Sequence, residues 1–107
     1  MSKNWALYPD QLLRRRVMAW ALKLKVNPEQ VVIEEMPGRW GCCTGEGVVT
    51  FAEDLSTADE DFQDYVIVHE LLHLRYRNHG KQFQAMMTAM VPRWRELEGR
   101  SRHSSGG

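Results

Sequence analysis

The chain has 107 residues, 43% of them hydrophobic, which suits one small domain with a single core. Acidic and basic residues balance at 14 each, so no global field draws the chain towards nucleic acid or a membrane surface. No apolar run is long enough to span a bilayer, and Met1-Ser2-Lys3-Asn4-Trp5 lacks the apolar core of a signal peptide. The only cysteines, Cys42 and Cys43, are adjacent and cannot staple distant segments, so a reduced, cytoplasmic setting is expected.

In chain order, the first predicted element is a helix from about Asp10 to Lys25. Leu12, Leu13, Val17, Ala19, Trp20, Ala21 and Leu24 mostly keep helical spacing, interrupted by Arg14-Arg15-Arg16, and Asn27-Pro28 stops the run. Val31-Val32-Ile33 is β-branched and reads as a strand, followed by a Met36-Pro37-Gly38 turn. Arg39 to Thr44 and Val48 to Phe51 read as two strands joined by Gly45-Glu46-Gly47 in a hairpin. Ser56 or Thr57 is placed to cap a helix whose first turn carries Asp59, Glu60 and Asp61, favourable for its dipole. That helix is expected to run to about Tyr76. It is apolar on most sides, which marks it as the buried central helix. Asn78-His79-Gly80 ends it, a further helix runs from about Lys81 to Met90, and Pro92 opens a last helical segment with Trp94 and Leu97. The polar residues 100–107 read as a disordered tail behind a single domain of residues 1–99.

Three of the four histidines fall in one short stretch, His69-Glu70-Leu71-Leu72-His73 followed by His79. On a helix, His69 and His73 lie one turn apart on one face, so both imidazoles can reach one metal ion. Glu70 is offset around the helix, beside the ion, where a base must sit to take a proton from zinc-bound water. Hydrolytic zinc usually takes three protein ligands and leaves one position for water. His79 is the best third candidate because Asn78 and Gly80 let the chain fold back. Glu96 and Glu98 are alternatives from a later helix, and His103 is a weaker one. The competing reading, ordinary polar residues on a helix, is disfavoured because uncoordinated histidines and a glutamate are costly in so apolar a segment. The implied cofactor is Zn2+.

These residues carry a resemblance. Asp64 to Leu74 and Arg77-Asn78-His79-Gly80-Lys81-Gln82-Phe83 closely resemble the YgjP-like zinc metallopeptidases, relatives of the SprT-type metalloproteases. Arg39-Trp40-Gly41-Cys42-Cys43 is similar to the same family's Arg-Trp-Gly-Ser-Cys strand, and Pro92-Arg93-Trp94-Arg95 to its later Pro-x-Trp segment. The resemblance covers roughly Ala6 to Leu97. It implies His69, His73 and His79 as zinc ligands, Glu70 as catalytic base, and a hairpin edge beside the cleft that can pair with an extended peptide. The departures, Cys42 for serine, Gln84 where tryptophan is frequent, and no Asn-Trp-Arg near Phe51-Ala52-Glu53, fall in the presumed cleft.

The fold expected is α+β: an N-terminal helix, a small antiparallel sheet with a hairpin, a central metal-binding helix and C-terminal helices, a minimal zincin-like domain. The leading function is a zinc metallopeptidase acting on polypeptide. A metal-dependent nucleoside-triphosphate pyrophosphohydrolase is the first alternative, with Arg75 and Arg77 as phosphate-binding candidates. A non-enzymatic zinc-stabilised module binding protein or nucleic acid is the second. Trp40 is the aromatic expected to touch substrate, while Trp5, Trp20 and Trp94 read as core. Arg14-Arg15-Arg16 reads as a solvated helix face rather than a nucleic-acid patch. No membrane partner is expected, and composition leaves the oligomeric state open.

Overall fold

The computed structural model describes residues 8–104, with side-chain surroundings for residues 8–100. Trp5 and the last three residues of the expected tail therefore lie outside the described residues, as does the side chain of His103.

Helix α1 (Pro9–Leu24) begins with proline at its first position, where the missing N–H costs nothing. The Gln11 side-chain oxygen accepts from the Tyr8 N–H at 3.0 Å, satisfying a donor outside the helix ladder. Leu13, Val17, Ala21 and Leu24 are its buried stripe, and Lys25 ends it in the left-handed conformation at φ 59°. Of the three consecutive arginines, Arg14 donates to the Val31 carbonyl at 2.7 Å and Arg16 to Asp64 at 2.6 Å. Two of the three thus anchor α1 to its neighbours instead of facing solvent.

Strands β1 (Gln30–Glu34), β2 (Gly41–Cys43) and β3 (Val48–Ala52) form a sheet in the order β1-β3-β2. The hairpin is as expected: β2 pairs antiparallel with β3, Cys42 opposite Thr50. The sheet as a whole is mixed rather than antiparallel, because β1 pairs with β3 in parallel register, Val32 opposite Thr50. The reason lies in β3. Val49 and Phe51 are fully buried, so this strand takes the centre and needs partners on both edges. The hairpin covers one edge, and β1 can reach only the other. The turn at Pro37-Gly38, with Gly38 at φ 82°, carries the chain from one edge of the sheet to the opposite one.

A short 3-10 turn (Glu53–Thr57) leads to α2 (Glu60–Leu72), whose N-cap is Asp59 rather than Ser56 or Thr57. Gln63, buried in α2, donates its amide to the carbonyls of Leu55, Ser56 and Ala58 at 3.0, 3.2 and 3.1 Å and so binds the turn to the helix. Nine of the thirteen residues of α2 are buried, which confirms it as the central helix. Helices α3 (Lys81–Met90) and α4 (Trp94–Ser104) close the core with Phe83, Met87, Trp94 and Leu97.

Helix α4 continues to Ser104, past Gly99, where composition had placed the start of a disordered tail. Arg100 accounts for the difference: it holds both Asp59 oxygens, at 2.8 and 3.3 Å, and lies 5.0 Å from the centre of the Phe62 ring. Among the described residues, no helix is long and apolar enough to cross a membrane.

Candidate metal centre

Helix α2 ends sooner than its apolar pattern suggests, and the way it ends builds the site. His73 is the C-cap, and the next residues tighten: Leu74 N–H donates to Leu71 and Arg75 N–H to Leu72, each three residues back, at 3.0 and 2.9 Å. The chain then doubles back, and His79 arrives opposite His73 immediately before α3. The ring nitrogens His73 Nε2 and His79 Nε2 are 3.0 Å apart. One ligand atom from each of His69, His73 and His79 lies within 4.8 Å of the others, and these three form the converging donor group among the described residues. Neither Glu96 nor Glu98 joins it: Glu96 instead pairs with Arg93 at 3.3 Å.

The protonation pattern suits a cation. His73 Nδ1 lies 3.0 Å from the Tyr76 carbonyl, which can only accept, so the proton sits on Nδ1 and Nε2 keeps its lone pair. His69 Nδ1 lies 3.2 Å from Glu70 Oε2, which fixes the same tautomer. The His79 imidazole is pushed below its ordinary value, first by burial and then by the facing His69 and His73 rings, which favours its neutral form. Ligands about 2.0–2.1 Å from a tetrahedral ion sit about 3.3 Å apart. The His73–His79 pair, at 3.0 Å, is close to that spacing, and all three ligand atoms lie within 4.8 Å of one another.

Phe83, 2% exposed, is the platform beneath the imidazoles. Its ring centre is 5.4 Å from that of His69, 5.1 Å from His73 and 4.6 Å from His79, nearly parallel to His73 at 25°. Gln84 donates to the His79 carbonyl at 2.9 Å and accepts from Arg95 at 3.1 Å, fixing the backbone that carries the third imidazole. Neither role was visible in the pattern, although Phe83 and Gln84 stand four and five residues after His79.

Glu70 is 8% exposed and faces β2. A Cβ built on Gly41 would lie 2.9 Å from Glu70 Cγ and 3.3 Å from the Thr50 carbonyl oxygen. The strand approaches the carboxylate so closely that only glycine leaves room. Trp40 packs edge-on against Phe62, ring centres 5.1 Å apart, and lines a cavity of about 200 Å³ with Gly38, Tyr65, His69 and Glu70. Arg75 and Arg77 lie at the other end of β2. With His73, Cys43 and the hairpin turn they line a larger cavity of about 580 Å³. One Arg75 nitrogen donates to the Leu24 carbonyl at the C-terminus of α1, at 3.2 Å. Cys42 and Cys43 are free and half-buried, and burial first, then Glu70 and Cys42, pushes the Cys43 thiol up.

Solved structures similar to this one include two metallopeptidase zymogens, those of Methanocaldococcus jannaschii jannalysin (TM-score 0.72) and Pyrococcus abyssi abylysin (TM-score 0.71). Each is 20% identical and covers 82% of this chain, and 91% and 90% of their own lengths are matched, which establishes a shared fold. No curated protein sequence matches the chain. The YgjP-like metallopeptidase domain model matches residues 8–102, nearly the whole of the chain that carries the imidazole cluster; the protein belongs to the YgjP-like metallopeptidase family and is a metal-dependent peptidase.

Proposed function

We propose that the chain is a zinc peptidase in which His69, His73 and His79 hold the ion and Glu70 is the general base. The observation that carries this reading is the convergence of three imidazoles, two with Nδ1 held by acceptors, beside a nearly buried carboxylate. When bound, zinc supplies Lewis acidity that acidifies water and polarises the carbonyl of the scissile bond. Glu70 takes the proton from the attacking water and returns it to the leaving amine nitrogen. Strand β2 is an edge strand, and its open side can pair with an extended polypeptide. Trp40 contacts that peptide at one end of the strand and Arg75 and Arg77 at the other.

A second reading, hydrolysis of nucleoside triphosphates, draws on the position of Arg75 and Arg77 in the cavity beside His73. One set of measurements separates the readings. The purified protein is analysed for metal and assayed on unfolded polypeptide and on nucleoside triphosphates, together with Glu70→Gln and His79→Ala. The expected result is about one zinc per chain, peptide cleavage, loss of zinc in His79→Ala, and retained zinc with cleavage down about 10²–10⁴-fold in Glu70→Gln. Full cleavage by Glu70→Gln removes it as the base. Hydrolysis of nucleotide alone, abolished by Arg75→Ala or Arg77→Ala, replaces the peptidase reading.

A further inference from the structure

We infer that the cavity beside His73 is a subsite for an acidic side chain of the substrate, with Arg77 and Arg75 as the residues that select it. The inference rests on the peptidase reading above and names its substrate class.

Position comes first. At about 580 Å³ this cavity is well above the roughly 200 Å³ beside Trp40, so it is the one with room for a long side chain and its water. His73 forms part of its wall, so whatever fills it lies next to the bond being cut. It opens at the Cys43 end of β2, a strand of only three residues. At about 3.3 Å of rise per residue, a peptide along that strand presents to the cavity a side chain within about two residues of the scissile bond.

Charge comes second. The lining contains Arg75 and Arg77 against a single carboxylate, Glu46, on the hairpin turn. Arg14, Arg16, Arg93, Arg95 and Arg100 are all held by hydrogen bonds or carboxylates, while Arg15 and Arg39 lie outside this cavity. Arg77 is exposed and, among the described residues, makes no hydrogen bond or ion pair. Arg75 spends one donor on Leu24 and keeps most of its five. Two guanidinium forks facing a cavity next to the reacting bond match a carboxylate and repel Lys or Arg.

The turn supplies the third observation. A Cβ on Gly45 would meet nothing within 4 Å, and Gly47 has φ 89°, which favours glycine. Both positions lack side chains, so the turn bounds the cavity without filling it.

The test uses the zinc-loaded 107-residue chain and a degenerate peptide library, with cleavage sites read by mass spectrometry. Asp or Glu should be enriched at one position within two residues of the cut. Arg77→Glu should lower the kcat/KM ratio of a Glu peptide to its Lys counterpart by at least about tenfold. Arg15→Glu, the same charge change on α1, should leave that ratio alone. A second arm does not depend on turnover: Glu70→Gln protein should bind a fluorescent Glu peptide more tightly than the Lys peptide, and adding Arg77→Glu should erase the difference. Absence of cleavage by the wild-type protein counts against the peptidase reading, and the binding arm still decides the subsite. Equal use and equal binding of acidic, neutral and basic peptides overturns the inference. So does Arg77-dependent binding of a nucleoside triphosphate without any preference for acidic peptides.

Discussion

Replacing Gly41 by alanine adds one carbon and two hydrogens to a strand far in sequence from α2, yet on the proposed function it should damage catalysis. The new Cβ would stand 2.9 Å from Glu70 Cγ, 3.4 Å from Glu70 Cδ and 3.3 Å from the Thr50 carbonyl oxygen. Carbon atoms pack comfortably at about 3.5–4.0 Å, so roughly 0.6–1 Å must be found somewhere. The Thr50 oxygen belongs to the central strand and cannot yield, so either β2 moves outward or Glu70 swings away. Overpacking of this kind costs about 1–3 kcal/mol of stability. In a domain of this size each kcal/mol lowers Tm by about 4–8 °C. A displacement of about 1 Å at a catalytic group costs about a hundredfold in rate. Gly41→Ala should therefore remain folded with a lower Tm, keep its zinc, and lose about 10- to 100-fold in kcat on a fluorogenic peptide. Gly99→Ala, where a Cβ meets nothing within 4 Å, is the control and should be equal to wild type in activity and slightly more stable. A folded, metal-replete Gly41→Ala protein with kcat within twofold of wild type would refute the idea that β2 positions the base.

Phe83→Leu keeps most of the buried volume but removes the flat surface under the imidazoles, and should weaken zinc binding about tenfold by chelator competition; unchanged affinity would reduce Phe83 to a core residue. The Asp59–Arg100 pair gives a pH-dependent prediction. The Arg100 hydrogen bond holds the Asp59 carboxyl below its ordinary value of 3.8, so its stabilising effect is present above that value and lost as pH falls through the lower folded value. Both side chains are half-exposed, and after screening the pair contributes about 0.5 kcal/mol. Asp59→Asn should lower Tm slightly at pH 7, with the difference from wild type closing below pH 3.8; a difference that persists there, or grows, contradicts the assignment.

The imidazole cluster was legible because it is local. His73 follows His69 by four positions and His79 follows His73 by six, so helical geometry and one reversal bring them together without knowledge of the rest of the fold. Hairpin and helix positions were legible for the same reason, since periodicity and turn residues act over a few positions. The parallel placement of β1 was not. It follows from competition for the two edges of β3, which no short window contains. The early end of α2 escaped because Leu74 and Tyr76 continue the apolar pattern, while the tightened turn depends on where His79 must go. Gly41 read as one more strand residue, and only its distance to Glu70 reveals its part. Arg100 read as tail because its partner, Asp59, lies 41 residues earlier.

The nearness of the three histidines along the chain also bears on the denatured protein. Loops of four and six residues close at little entropic cost, so the unfolded polypeptide remains a fair chelator. Free ion at a thousand times Kd would raise the unfolding free energy by about 4.1 kcal/mol if only the native state bound it. If the denatured ensemble binds a hundredfold more weakly than the native state, the gain falls to about 2.7 kcal/mol. A ligand set gathered from remote helices would escape this loss. Here, the bound metal ion should protect the fold by less than its native affinity implies, and the chain should be able to take up that ion before it has finished folding.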